Sequence, residues 1–357
     1  MFDFIPAIFY TNIYYHLLLA VGIGIFAFAM SSDIRDRSSR VSLNIFGFSV
    51  LILVVFYMGL RPISIMFGDM GSYASTFRKS QSGAVLRIKN DYLFSYFLVF
   101  CSKVMSVKMF FLLVDIIYIV PCYLFSRKYS GTFWFFTFFM MVGSFSFWSY
   151  GTNGIRNGMA TAIFILALVF YDKKIIMYAL MALAYGVHNS MMIPIAAFVV
   201  AGIYKNPKIY LYGWLIAIPL SLVAGGFFQN LLGGMMSDAR SADYLTQPVK
   251  SDDGLGAGGA FRWDFLIYSA SAAYAGYWYI FRRKITDKFY IHLYGVYMVA
   301  NAFWILVIRA NFSNRFSYLS WFLMAAVIAY PAFKYKLWDN QYRSAGIILI
   351  LYYGFTY

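Results

Sequence analysis

The sequence predicts an all-α, polytopic integral membrane protein with about twelve transmembrane helices. Of the 357 residues, 62% are hydrophobic and only 12% are charged, whereas an ordinary soluble domain carries about 25% charged residues. Apolar runs of about 18 residues, which suffice to cross a bilayer, recur along the whole sequence. The alternating apolar and polar positions typical of barrel strands do not appear in the sequence.

The spacing of the apolar runs gives the predicted order of helices. Residues 92–106 are too short and too interrupted to span, and they are predicted to form a half-inserted or interfacial helix. We see no repeat and no separate soluble domain, so residues 1–357 are predicted to form one membrane-embedded domain. The predicted spans lie near residues 8–30, 43–60, 108–126, 132–150, 157–171, 174–187, 190–203, 209–230, 263–281, 289–308, 313–333 and 344–357.

The basic residues predict the orientation. The net charge of +15 comes from 29 Lys and Arg against 14 acids, and in a membrane protein such an excess indicates topology and anionic lipid rather than nucleic acid. The short loops on one side of the predicted spans carry only Arg156, Arg309 and Arg315. The opposite short loops are predicted to face the cytoplasm and carry Arg35, Arg37, Arg40, Arg127, Lys128, Lys173, Lys174, Lys205, Lys208, Arg282, Arg283, Lys284, Lys288, Lys334, Lys336 and Arg343.

This orientation puts both termini and two long segments, 61–107 and 231–262, on the outer, periplasmic face. Long loops cross regardless of their charge, and outer segments of this length usually carry function. The pair Asp252-Asp253 in the second segment could bind a cation, but it lies in glycine-rich sequence. The two cysteines have no metal-type spacing, and we predict no metal site.

The stretch GTNGIRNGMATAIF, residues 151–164, forms a polar corner between two apolar runs. Asn153 could cap the helix that follows, and the glycines at 154 and 158 let a neighbouring helix or a ligand approach the backbone. Free amides at a helix start attract anions, and Arg156 can grip phosphate through two parallel hydrogen bonds. The corner is either a phosphate cradle or a tight turn whose arginine reaches for lipid headgroups.

Two further outer corners carry groups that could do chemistry. His188, in LAYGVHNSMM, can exchange protons near neutral pH, or it can be a buried histidine bonded to backbone. In IRANFSNRFSYLSWF, Arg309 and Arg315 lie close in sequence, and Tyr318 follows Arg315 by one helical turn. Ordinary interfacial anchoring by Arg and Tyr is the alternative there.

The first outer segment opens with GLRPISIMFGDMGSYASTFRKS. Arg61 closes a span, and Asp69 and Tyr73 are four positions apart, so both can point the same way on a helix. Asp69 could act as a base or hold an arginine in place, and a solvated loop carboxylate is the alternative. Asp115 lies inside a span, where acids are costly and often functional, but the sequence indicates no partner for it.

NGIRNGMATAIFILAL, the break YDKK and LMALAYGVHNSMMIPIAAF together resemble the EpsG-like branch of Wzy-type polysaccharide polymerases. In that family an Arg-x-Gly element opens a span and a histidine begins the next but one. Asp69 with Tyr73, and Arg315 with Tyr318, match two further family features. The resemblance covers roughly residues 40–330 and is strongest over 150–200.

The resemblance implies a reaction. Wzy-type proteins join oligosaccharide repeat units carried on undecaprenyl pyrophosphate at the outer face of the bacterial inner membrane, as in O-antigen and lipopolysaccharide biosynthesis. The expected partners are the lipid-linked donor and acceptor, membrane lipids and a chain-length regulator protein, with no nucleic acid. The resemblance also implies a fold like the GT-C-like membrane glycosyltransferases, and catalysis without cofactor or metal.

The family chemistry assigns roles to these residues. Arg156 and Arg315 would stabilise the leaving pyrophosphate, and Arg61 and Arg309 would help them. His188 is the first choice and Asp69 the second choice for the base that takes the acceptor's proton. The side chains expected to bind the sugars are Tyr73, Asn153, Asn157 and Tyr318.

Three other functions remain open at this stage. A flippase for the lipid-linked unit should place cations through the middle of the bundle, whereas here they collect at the outer ends. A sugar O-acyltransferase should show a cationic cytoplasmic corner with a histidine, and none is apparent in the sequence. The third alternative is a non-enzymatic assembly scaffold.

Overall fold

The computed structural model describes residues 4–33, 36–85, 90–234, 243, 245 and 259–357. Within these residues the chain is helical, and no β-strand occurs. The helices are α1 Ala7–Ser31, α2 Arg37–Gly59, α3 Met70–Gln81, α4 Tyr92–Val104, α5 Val107–Ser130, α6 Trp134–Val142, α7 Phe145–Thr152, α8 Ile155–Val169, α9 Lys174–Val187, α10 Met192–Ile203, α11 Pro207–Gly234, α12 Trp263–Tyr277, α13 Lys288–Leu306, α14 Ser313–Trp321, α15 Met324–Lys334 and α16 Gln341–Gly354.

Six helical stretches of the described chain are long and apolar enough to cross a bilayer, which supports a multi-pass membrane protein. Shorter apolar helices are α4, α8, α9 and the stretch that ends with α10. The number of twelve spans and the GT-C-like architecture stay predictions. The six long stretches are Ala7–Ser31, Arg37–Gly59, Val107–Val142, Pro207–Gly234, Lys288–Leu306 and Ser313–Lys334.

Every predicted span coincides with a helix or with a broken pair of helices. The predicted span 132–150 divides into α6 and α7, because Ser144 adopts an extended backbone between them. A Cβ at the adjoining Gly143 would lie 2.8 Å from the Tyr353 ring, so this break packs closely against α16. The predicted interfacial helix at 92–106 is α4.

The described chain forms two compact units, which we describe separately: Met1–His188 with Ala332–Tyr357, and Asn189–Pro331. In the first unit α5 packs against α2, α6 and α8, and α1 packs against α16. Two buried tyrosines link α1 to α2: the Tyr10 hydroxyl donates to the Tyr57 carbonyl, and the Tyr57 hydroxyl donates to the Tyr10 carbonyl, each at 2.8 Å. Both phenols are therefore satisfied inside an apolar core.

A buried ion pair fastens the first unit near its polar corner. Arg61 is 1% exposed and Asp115 is fully enclosed, and their Nη1 and Oδ2 atoms are 2.5 Å apart. The Arg61 guanidinium also donates to the carbonyls of Gly151 and Thr152, at 3.1 and 3.4 Å. It thereby holds the end of α2 against α5 and against the end of α7.

A buried amide organises the second unit. Trp214 of α11 donates its indole N–H to Asn301 Oδ1 at 2.7 Å. The Asn301 amide donates to the hydroxyls of Ser269 and Ser320, at 3.2 and 2.9 Å. One side chain on α13 thus links α11, α12 and α14 through satisfied hydrogen bonds.

Candidate catalytic site

The polar corner between α7 and α8 is built on a glycine. A Cβ on Gly158 would lie 2.5 Å from the Tyr150 carbonyl oxygen, so only glycine lets the first turn of α8 lie against α7. The residue before α8 is Gly154, and it makes no side-chain cap. Arg156 is therefore carried on the first turn of α8, at a sharp and closely packed bend.

Asn153 does not cap α8, so that expectation is wrong. Its Oδ1 accepts a hydrogen bond from the Asp69 backbone N–H at 2.9 Å. The chain reaches this position through Gly68, which has φ +61° and on which a Cβ would overlap the Asn153 side chain. Asn153 thus ties the start of α3 to the α7–α8 corner.

Arg156 is bound by side chains from α3 and from the residue before α4. Its Nη1 lies 2.6 Å from Asp91 Oδ2, at the start of α4. Its Nε donates to the Tyr73 hydroxyl of α3 at 2.9 Å, and the guanidinium stands 5.7 Å from the centre of that ring. The Arg156 side chain keeps 27% of its surface exposed, so an incoming anion can still reach it.

His188 meets the same carboxylate. Its Nε2 lies 3.9 Å from Asp91 Oδ2, the same oxygen that binds Arg156. Close packing between α4 and α9 produces this approach, because Gly186 has no side chain where Leu93 of α4 sits. Arg156 Nη1 and His188 Nε2 both lie close to the same Asp91 oxygen, so their separation cannot exceed the sum of those two distances. Both side chains can therefore contact one reacting group.

Asp91 is the site residue that sequence reasoning missed. The available signal was Asn90-Asp91 directly before an apolar run, a helix-start signature. Asp91 does precede α4, but its side chain makes no cap hydrogen bond, and its backbone is left-handed with φ 51° and ψ 52°. The carboxylate, whose side chain is 7% exposed, serves Arg156 instead.

Tyr73 and Asp69 occupy different positions around Arg156. Burial raises the pKa of the Tyr73 phenol, although the adjacent Arg156 lowers it, so Tyr73 is a neutral hydrogen-bonding group at physiological pH. Asp69 is exposed at the start of α3, and its charge also raises the pKa of Tyr73. Asp91, rather than Asp69, makes the ion pair with Arg156.

The other predicted site residues of the first unit differ in their access. Asn157 is half-buried beside Arg156 on the first turn of α8. Arg61 is enclosed by Asp115 and backbone carbonyls, so it is not placed to meet a phosphate as a helper. We assign it a structural role.

The remaining predicted residues lie in the second unit. Arg315 is exposed at the start of α14, with its guanidinium 5.1 Å from the centre of the Phe312 ring. Tyr318 is buried, with its ring centre 5.7 Å from that of Trp321. Arg309 is half-buried, 6.0 Å from the centre of the Phe261 ring. The meeting of Arg315 with Arg156 stays a prediction.

The cluster of Tyr73, Asp91, Arg156 and His188 combines an anion-binding guanidinium with a group that can take a proton. Such a pair suits a reaction in which a negative leaving group departs while a hydroxyl attacks. No group of three or more His, Cys, Asp or Glu side chains in the described part of the chain could hold a metal ion. Asp252 and Asp253 lie outside the described residues.

Comparison with known proteins gives one match. The model of the EpsG family matches residues 43–357, which include the whole site cluster and most of both units. No curated protein and no solved structure matches the chain.

Proposed function

Because the chain belongs to the EpsG family, we propose that it polymerises oligosaccharide repeat units carried on undecaprenyl pyrophosphate at the outer face of the bacterial inner membrane. Family membership supports a polysaccharide polymerase-like role, and the long apolar helices support a multi-pass membrane protein. The product would be O-antigen or a related surface polysaccharide.

The observation that carries the proposal is the meeting of Arg156 and His188 at one carboxylate. They are remote in sequence, and they supply the two groups that the reaction requires. Departure of a lipid pyrophosphate develops negative charge, which a fixed guanidinium stabilises. Attack by a sugar hydroxyl releases a proton, which an imidazole accepts near neutral pH.

The proposed step is a single displacement. The hydroxyl oxygen of the acceptor unit attacks the anomeric carbon that links the growing glycan to its lipid pyrophosphate. The new glycosidic bond forms as the bond to the phosphate oxygen breaks, and the electron pair leaves with the pyrophosphate on Arg156. The hydroxyl proton passes to His188. A direct displacement of this kind inverts the anomeric configuration.

The remaining residues would position the substrates. Tyr73 holds the Arg156 guanidinium through Nε, which leaves part of the fork for phosphate oxygens. Asn157, on the same helical turn as Arg156, and Asn153 at the corner can bind sugar hydroxyls. Arg315 would add a second cation for the pyrophosphate, with Arg309 and Tyr318 nearby in sequence.

Reconstitution tests the proposal directly. We would place the purified protein in liposomes with lipid-linked oligosaccharide extracted from cells that lack this gene, and resolve the glycan lengths on gels. The wild type should lengthen glycans already present on the lipid, whereas a flippase would not. Arg156→Ala should abolish lengthening at an unchanged protein level, and Arg156→Lys should be nearly as damaging because it loses the two-pronged contact.

The matched control is Arg78→Ala, an exposed arginine on α3 outside the cluster, which should retain activity. Long polymer of normal length distribution from Arg156→Ala would end the proposal. His188→Asn should lose most activity. Wild-type activity of His188→Asn, with an unaltered pH profile between about pH 5 and pH 8, would move the role of base to Asp69.

A further inference from the structure

One oxygen of Asp91 stands between the two functional groups of the cluster. Its Oδ2 is 2.6 Å from Arg156 Nη1 and 3.9 Å from His188 Nε2. The first distance is a short, charge-assisted hydrogen bond, and the second lies beyond the hydrogen-bonding range of about 2.7–3.2 Å. A small rotation of the Asp91 side chain would exchange one partner for the other.

The local backbone presents this carboxylate at some cost. Asp91 is one of three non-glycine residues with positive φ in the described chain, and such conformations are maintained only where surrounding contacts enforce them. The Asp91 side chain also does not make the cap hydrogen bond that an aspartate before a helix commonly makes. Both features are accounted for if the carboxylate is needed at the site rather than at the helix end.

A pyrophosphate and Asp91 are competitors for Arg156. Both are anions that require guanidinium N–H donors, and Asp91 already occupies Nη1. Tyr73 occupies Nε as a neutral acceptor, so it can stay in place when a phosphate binds. An anion that docks on Arg156 would repel the Asp91 carboxylate, and the His188 imidazole, whose Nε2 lies 3.9 Å from Asp91 Oδ2, is within reach of a small movement of that carboxylate.

We propose that Asp91 is a positioning residue that changes partner during the reaction: it holds Arg156 in the free protein and accepts the Nε2–H of His188 once the donor pyrophosphate occupies Arg156. The proposal rests on the polymerase function proposed above. In the donor complex the carboxylate orients the imidazole and stabilises the positive charge that the imidazole gains from the acceptor's proton. The base therefore becomes fully effective only when a leaving group is in place.

The first test measures binding and needs no polymerase activity. Inorganic pyrophosphate is titrated calorimetrically into the full chain purified in lipid nanodiscs. Asp91→Asn and Asp91→Gly should each bind pyrophosphate about fivefold or more tightly than the wild type, because the internal competitor is gone. Both replacements suit a left-handed backbone, so they are expected to fold.

Asp69→Asn is the matched control. It also removes one negative charge near Arg156, but it leaves the ion pair intact, so pyrophosphate affinity should change less than twofold. Unchanged, weaker or undetectable pyrophosphate binding by both Asp91 variants would overturn the proposal. Equal tightening by Asp69→Asn would do the same, because general electrostatics would then explain the effect.

The second test separates positioning from a structural role. In the reconstituted assay Asp91→Asn should lower kcat by about 10- to 100-fold without raising the donor KM. When His188 is already Asn, adding Asp91→Asn should change kcat little, since Asp91 acts through the imidazole. A full additional loss in that background would contradict the exchange of partners.

The two proposals fail in different ways. If the wild type does not lengthen glycans but the Asp91 variants bind pyrophosphate more tightly, the polymerase proposal falls and the competition at Arg156 stands. If the wild type lengthens glycans but the Asp91 variants bind pyrophosphate no more tightly than the wild type and keep its kcat, the exchange of partners falls and the polymerase proposal stands.

Discussion

Two arginines that resemble each other in the sequence have opposite environments in the fold. Arg61 follows the end of α2, and Arg156 lies on the first turn of α8. Arg61 is 1% exposed and bound to a fully buried Asp115, whereas the Arg156 side chain is 27% exposed and bound to Asp91. Burial therefore assigns one arginine to stability and leaves the other available for a ligand.

The first prediction concerns the buried pair. Arg61→Met should destabilise the protein by about 3–5 kcal/mol, because it leaves the Asp115 charge enclosed without a partner. The measurement is the amount of protein in the membrane and its midpoint of thermal unfolding in detergent. The double variant Arg61→Met with Asp115→Leu should recover much of the loss. Full stability of the single variant would contradict the structural role.

The second prediction concerns Tyr73. Tyr73→Phe removes the hydrogen bond to Arg156 Nε, and loss of a bond to a charged group costs about 1.5–3 kcal/mol, so chain lengthening should slow at least about tenfold. Burial raises the pKa of Tyr73 above its ordinary value of 10.0, so the phenol stays protonated at physiological pH.

The pH dependence of the rate provides the check on Tyr73. The wild type and Tyr73→Phe should give pH–rate profiles of the same shape between about pH 6 and pH 9, displaced only in height. Loss of an alkaline limb in Tyr73→Phe would mean that the phenol titrates in this range, against the effect of its burial.

Single residues were predictable where their chemistry is rare in an apolar sequence. Arg156 and His188 stand out among hydrophobic neighbours, and the structure brings them to one carboxylate. Asp91 was missed because its sequence context signals a helix cap, whereas its carboxylate pairs with Arg156 of α8. The ion pair of Asp115 with Arg61 was not predicted because the two residues are distant in the sequence.

At the scale of elements, hydrophobic runs located the helices, and glycine contacts determine how they meet. The spans at 132–150 and 313–333 were predicted as single helices because their composition is continuously apolar. The first divides at 143–144, where the extended backbone of Ser144 rather than hydropathy decides, and the second is interrupted at 322–323. Close approach at Gly158 and Gly186 brings α8 and α9 to the site. The pattern of apolar residues in the sequence does not predict such contacts.

The third prediction tests the α7–α8 corner. A Cβ on Gly158 would meet the Tyr150 carbonyl oxygen at 2.5 Å and its carbonyl carbon at 3.0 Å, and backbone cannot yield as a side chain can. Gly158→Ala should destabilise by about 1–3 kcal/mol and displace Arg156, so the thermal midpoint and chain lengthening should both fall.

Gly24→Ala in α1 is the matched control for the corner. A Cβ there meets no atom within 4 Å, and alanine favours a helix over glycine by about 1 kcal/mol, so this variant should be at least as stable as the wild type. Equal behaviour of Gly158→Ala and Gly24→Ala would show that the corner tolerates a side chain.

At the scale of the whole molecule, the distribution of basic residues predicts how the protein is oriented in the membrane. The fold of neither unit indicates this orientation. Sixteen Lys and Arg residues fall in the short loops of one side, and the site cluster falls at the other ends of the same helices, by the predicted topology. The cluster can reach lipid-linked units exported across the membrane only if this orientation is correct. The predicted orientation and the proposed function therefore both depend on this distribution of Lys and Arg residues.

The fourth prediction measures that orientation by cysteine labelling. Ser82, after α3, and Lys173, before α9, are both exposed, and the native Cys101 and Cys122 are buried at 1% and 2% exposure, so background labelling should be low. In spheroplasts, a membrane-impermeant maleimide should label Ser82→Cys without lysis and Lys173→Cys only after lysis. The reverse pattern would put the Arg156–His188 cluster on the cytoplasmic side, where exported lipid-linked units are out of reach, and would rule out polymerisation at the outer face even if every contact in the cluster is correct.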